Sequence, residues 1–188
     1  MATKKTKHNW KSIEKSLLSD DEKMFDSMIK FLEKNGKVEY LTKIIGLLNK
    51  LSDTRKGKIF SFLSKLKQKD AAPIMMEIVK DENNKAFQDL ILNSFWNSSI
   101  DYSAFFADFV EISCKGRYMT ALECITILEN LNGPFNEEQV LEAQLHLKNY
   151  LENKKNNDEK DPLISEIAIF IKTINEQLSD IDQDILEL

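Results

Sequence analysis

Disulfide scaffolds, zinc sites, turn-dense β folds and membrane spans all need residues that this chain of 188 holds in short supply. Cys114 and Cys124 are its only cysteines. With no CxxC spacing and no second pair they do not compose a zinc site, and both read as reduced packing residues. Five glycines and three prolines are too few to punctuate a sandwich or barrel. The longest apolar run, Ile167 to Ile171, falls far short of the roughly 20 residues that cross a bilayer. Lys11, Ser12, Glu14, Lys15 and Ser16 interrupt the start where a secretory signal would need an unbroken apolar stretch. A soluble, cytoplasmic protein is expected.

Catalytic chemistry is equally thin. His8 sits in a charged start and His146 on the polar side of its segment, neither with a nucleophile or carboxylate at useful spacing. Glu142 and His146, four apart, are two ligands on one helix and do not make a metal site alone. No glycine-rich phosphate loop occurs. The pairs Asp20-Asp21 and Glu137-Glu138 fall in first helical turns, where carboxylates complement the helix dipole. The reading is of a non-enzyme, with no cofactor and no metal.

What the chain has in abundance is helical periodicity. Ser19-Asp20-Asp21-Glu22 has the form of a capping box. It opens a helix carrying Phe25, Met28, Ile29 and Leu32 on one face, which Asn35-Gly36 ends by a left-handed glycine. A shorter helix over 10–18 precedes it. A hairpin follows: Leu41, Ile44, Ile45, Leu48 and Leu51 form one apolar face, and Ile59, Phe62, Leu63 and Leu66 the next, on a helix over 54–69. Asp70 caps 71–80, and a helix over 84–97 comes after Asp81 to Asn84. Asp101 begins a helix whose Tyr102, Phe105, Phe106 and Phe109 stripe reads as core, and Lys115-Gly116 stops it. Residues 117–131 end at Gly133-Pro134, Asn136 with Gln139 opens 137–153, and Asp161-Pro162 opens a helix to about Leu178.

Leading helices start near 38, 71 and 101 and trailing ones near 54, 84 and 117, a spacing of roughly 30 to 33 residues. The expected fold is all-α, a short right-handed α-solenoid of about five antiparallel helix pairs forming a single domain. Residues 1–9 are expected to be disordered, 153–160 to be a polar loop, and 179–188 to be an acidic amphipathic tail. The unit Ala72-Pro73-Ile74-Met75-Met76-Glu77-Ile78-Val79-Lys80-Asp81-Glu82-Asn83-Asn84-Lys85-Ala86 resembles a HEAT or armadillo-type repeat, with its apolar first helix, Asp-containing turn and apolar second helix. Phe87 stands where such repeats often place Arg. The resemblance spans about 38–132 and implies an interaction scaffold. HEAT-like DNA glycosylases are similar in architecture only, since their Trp, Asp and Arg in a basic groove have no counterpart beyond Trp96, Asp101 and Arg117.

Charge is split along the chain. Residues 1–80 carry 18 Lys+Arg against 10 Asp+Glu, and residues 81–188 carry 8 against 21. Lys43 and Lys50 share one outer face, and Lys58, Lys65 and Lys69 flank the apolar face of 54–69, a stripe that could meet phosphate or an acidic protein by charge. Against nucleic acid, only Arg55 and Arg117 of 26 basic residues are arginine, the residue suited to bidentate recognition. Leu92 and Trp96 share a second face of their helix, which a neighbouring repeat usually covers and which otherwise offers candidate anchors for a partner. The expected function is an adaptor binding a protein or peptide, with a nucleic-acid-associated protein using the lysine flank as the alternative. Leu178, Ile181, Ile185 and Leu188 lie among acids, so the tail could cap the last repeat or dock on another copy's basic repeats, head to tail.

Overall fold

The computed structural model describes residues 9–154 and 158–186, with side chains as far as Leu178. The expected disorder of 1–8, the centre of the 153–160 loop and the side chains of the acidic tail lie outside the described residues. Asn9 is inside them and is ordered by its role: its Oδ1 accepts the Ser12 amide at 3.0 Å and caps the first helix.

The chain is all-helical, and among the described residues there is no strand. The α-helices are α1 (Trp10–Leu17), α2 (Glu22–Asn35), α3 (Leu41–Ile45), α4 (Asp53–Leu63), α5 (Ala71–Lys80), α6 (Gln88–Trp96), α7 (Phe106–Lys115), α8 (Tyr118–Glu129), α9 (Glu137–Asn153) and α10 (Asp161–Leu186). The α10 backbone runs without a break from Asp161 into the segment expected to be a separate tail.

Local chemistry explains where these bounds depart from the periodicity. At α2 the cap is Asp21, whose Oδ1 accepts the Lys23 and Met24 amides, while the Ser19 hydroxyl takes the Asp21 amide instead of opening a capping box. Gly36 ends α2 with an extended backbone, φ −61° and ψ 140°, not a left-handed one. A Cβ there would lie 2.4 Å from the Leu32 carbonyl oxygen, so close approach is what requires glycine. Short 3₁₀ turns at Val38–Tyr40, Leu48–Lys50, Glu82–Phe87 and Ser103–Phe105 consume residues expected in α3, α6 and α7. Two of these start on aspartates: Asp81 accepts the Asn83 amide at 2.9 Å, and Asp101 the Ser103 amide at 2.9 Å. Ser64 stops α4 six residues before the expected end, its hydroxyl donating back to Phe60 O at 3.0 Å while Lys65 and Leu66 turn with i−3 bonds. The α9 capping box is complete, Asn136 and Gln139 bonding each other's amides at 2.9 and 3.0 Å. Gly133, at φ +67°, takes the left-handed conformation before Pro134.

The helices pack in two files. α2 lies on α4, α4 on α6, α6 on α8 and α8 on α10; in the other file α3 lies on α5 and α7 on α9, and the rings of Trp10 (α1) and Tyr40 meet at 5.8 Å. The core is one continuous apolar cluster that includes a group of packed rings. Phe95 stacks on Tyr102 at 4.4 Å with planes 8° apart, Phe109 meets both edge-on, and Phe106 packs on Phe135 and Phe170. Of the stripe expected to be core, Tyr102, Phe106 and Phe109 are fully covered, while Phe105, in the 3₁₀ turn before α7, is only partly buried against it.

Candidate interaction surface

Polar side chains tie consecutive helices of each file together. Between α2 and α4, Arg55 donates to Glu22 at 2.7 Å and to Ser19 O at 2.7 Å, Lys58 pairs with Asp26 at 2.5 Å and Glu22 at 3.2 Å, and Lys65 reaches Glu33 at 2.8 Å. Between α6 and α8, Thr120 and Arg117 donate to Asp89 at 2.6 and 2.9 Å, while the Trp96 indole N–H and the Asn93 amide converge on Glu123. Between α5 and α7, Lys80 bridges Asp108 and Glu111 at 2.6 and 3.2 Å. These partners stand 27 to 36 positions apart in the chain.

These ties decide the fate of the lysine stripe. Lys58 and Lys65 point across to α2 and are neutralised there, and the Glu22 carboxyl is held below its usual range by the Arg55 and Lys58 hydrogen bonds. The Lys43 ammonium sits over the rings of Trp10 and Tyr40 at 5.6 and 6.0 Å. Lys43, Lys50 and Lys69 are exposed and engage no ion pair among the described residues, although the Lys69 charge acts on the Asp101 carboxyl. A phosphate-contacting stripe would need the others free.

The pairing of Leu92 with Trp96 needs correction. Leu92 is fully buried, with α6 packed on both α4 and α8 as well as on α5, so it does not serve as an anchor. Trp96 remains 40% exposed. Its ring is not loose: the 3.0 Å bond from Nε1 to Glu123 fixes the indole against α8, one helical turn from the exposed Met119. Glu123 was not a candidate from sequence. A signal for such ties was present: opposite charges recur at repeat distance as Glu22/Arg55, Asp26/Lys58, Glu33/Lys65, Lys80/Asp108 and Asp89/Arg117.

On the other file, a cleft of about 850 Å³ opens between the C-terminal ends of α7 and α9. Its floor is Lys160, only 4% exposed, whose ammonium donates to the carbonyls of Gly116, Cys114 and Ser113 at 2.6, 2.7 and 3.3 Å and lies over the Tyr150 ring. These are the orphan carbonyls that end α7, at the negative pole of its dipole. Beside it the Tyr150 hydroxyl donates to Asp161 at 2.9 Å and Lys154 to the other carboxylate oxygen at 2.8 Å, and with the Lys154 bond foremost the Asp161 carboxyl is pulled down to about 2. Cys114 and His146 also line the cleft. Burial pushes the Cys114 thiol up and keeps it neutral, the Tyr150 phenol is raised chiefly by desolvation, and all three Lys160 donors are committed to carbonyls. Lys160, Tyr150, Lys154 and Asp161 are thus bonded to one another or to the end of α7. Among the described residues no three His, Cys, Asp or Glu side chains gather as metal ligands, and no helix is long and apolar enough to cross a membrane.

Comparison of the chain with protein-family models, with curated proteins and with solved structures found no match.

Proposed function

We propose that this protein is a non-enzymatic helical-repeat scaffold that binds a protein or peptide partner on the face of its even-numbered helices. In this reading the two files are the inner and outer ranks of a short right-handed α-solenoid of about five antiparallel pairs, similar to HEAT or armadillo arrays, working in the cytoplasm. The observation that carries it is Trp96: a half-exposed indole, oriented by Glu123, on a rank whose helices are cross-tied in register. A rigid aromatic already held in place loses little freedom on binding, which is why such residues dominate interface energetics.

Affinity capture from the source lysate after nuclease treatment tests the proposal. A stoichiometric protein should be retained, and Trp96→Ala should deplete it by roughly tenfold or more, the effect of losing a hot-spot residue. Partners that vanish with nuclease, or that bind Trp96→Ala as well as wild type, would overturn it; the first result would favour nucleic acid contacting Lys50 and Lys69.

A further inference from the structure

The carboxylates that tie one helix to the next are of two kinds. Glu22, Asp26 and Glu33 on α2, Asp89 on α6, and Asp108 and Glu111 on α7 each meet a lysine or arginine at 3.2 Å or less. Glu123 on α8 does not. Its Oε2 accepts the Trp96 indole N–H at 3.0 Å, both its oxygens share the Asn93 amide at 3.3 Å, and it enters no ion pair among the described residues. Neutral donors orient a carboxylate without balancing its charge. Oε1, moreover, holds one long bond where a carboxylate oxygen has room for about two.

Nothing in the two helices supplies the missing cation. α6 and α8 carry three carboxylates, Asp89, Glu123 and Glu129, and no lysine or arginine. Arg117, just before α8, is tied to Asp89 at 2.9 Å. Beside Glu123 stands an indole that keeps 40% of its surface exposed although its N–H is engaged. The ring face of a tryptophan is itself negative, so Trp96 and Glu123 attract the same kind of group. Met119, one turn before Glu123 on α8, is exposed and adds an apolar contact on the same flank.

From this pairing we infer that Trp96 and Glu123 form a receptor for a guanidinium, an arginine side chain of the partner protein. The guanidinium stacks on the indole while an N–H of its fork bonds Glu123 Oε1. A lysine fits less well, because its ammonium is a strongly hydrated point charge that cannot stack. Resting on the scaffold role proposed above, this site makes the bound segment basic and places an arginine of it against Trp96.

The indole N–H signal of Trp96 in the NMR spectrum of the isotopically labelled full chain reads the site directly. Trp96→Phe identifies it, since Trp10 is the only other tryptophan. The probe is N-acetyl-arginine methylamide, titrated at constant ionic strength beside the citrulline derivative, which has its shape without its charge, and the lysine derivative. The arginine derivative should shift the Trp96 signal saturably and bind at least about threefold tighter than either of the others. Glu123→Gln keeps an acceptor for the indole and removes the charge, so it should weaken the arginine derivative by about threefold or more, with the Trp10 signal in place to show an intact fold. No saturable shift, an equal response to the citrulline or lysine derivative, or an unchanged affinity in Glu123→Gln would overturn the inference. Capture from the nuclease-treated lysate separates this outcome from the scaffold reading. A partner lost with Trp96→Ala and retained in full by Glu123→Gln would sink the guanidinium site and leave the scaffold, whereas a capture insensitive to Trp96→Ala beside a successful titration would sink the scaffold and leave the site.

Discussion

Between α2 and α4 the polar ties are charged on both sides, arginine and lysines reaching carboxylates. Between α6 and α8 two carboxylates instead collect a hydroxyl, a guanidinium, an amide and an indole. The two joints have the same register and different chemistry, and the difference reinterprets the charge split. Residues 9–39 carry six Lys+Arg against seven Asp+Glu, while 40–80 carry nine against three. Apart from Lys4, Lys5 and Lys7 at the start, the basic excess therefore begins only at α3, and a good part of it is directed back at the acids of α2. What looks along the sequence like a cationic half designed for an external anion is partly an internal seam. On the α6–α8 side the carboxylates carry out a second task, since Glu123 also fixes an exposed aromatic.

The aromatic core distinguishes the two halves more strongly than their ties do, and removing it should give the largest effect. Phe95→Ala deletes a ring that stacks on Tyr102 and meets Phe109 edge-on, at a site with no access to solvent. The expected loss is about 3–5 kcal/mol in denaturant unfolding. A loss under about 1 kcal/mol would mean that the α6–α8 half repacks freely and that the rings do not define it.

Lys160 gives the next effect in size. Lys160→Met keeps most of the side-chain volume and removes the ammonium from three carbonyls at the end of α7. Leaving buried acceptors short of a donor should cost about 1–3 kcal/mol. Hydrogen exchange should localise the change to the last turn of α7 and the start of α10, whereas α2 and α4 stay protected. Uniform deprotection would show instead that the clamp supports the whole array.

The cleft also controls its cysteine. Because burial raises the Cys114 thiol and Cys124 is wholly enclosed, native protein at neutral pH should react with iodoacetamide far more slowly than a free thiol. Lys160→Met should speed the labelling of Cys114 and not of Cys124. Equal acceleration at both would point to global loosening.

Much of the architecture was legible because helical periodicity and caps are local. α5 and α9 match their expected spans residue for residue, and the Asn136/Gln139 box is as written. What escaped is what depends on neighbours in space. Leu92 looks like an anchor on a single helical wheel, yet α4 and α8 close over it. Gly36 ends its helix as expected but for a steric reason seen only once Leu32 O is placed. Lys160 carries no local mark of its role, because its partners lie 44 to 47 residues earlier. The charged ties were within reach, since complementary charges at repeat distance can be counted along the chain.

The smallest predicted effect bears most directly on the contrast between the two joints. Glu22 has its carboxyl lowered by Arg55 first and Lys58 second, so it stays ionised in the fold at pH values where it would be protonated in the unfolded chain. A depressed folded value means that the stabilisation is present above the ordinary glutamate range, near 4.5 for this group, and is lost as pH falls through the lowered value. The pair is solvent-exposed, so the gain is screened and modest. Wild type should therefore show a small decline in thermal midpoint as pH falls below 4.5, and Arg55→Gln/Lys58→Gln should start lower and decline less. Asp161, lowered to about 2, titrates in both proteins, so the difference between their curves isolates the α2–α4 joint. The same comparison in high salt should narrow the gap at neutral pH, because exposed ion pairs are screened while buried packing is not. Parallel pH curves would remove the charged seam from the account of α2 and α4 and leave their joint, like that of α6 and α8, to rest on what is packed beneath it.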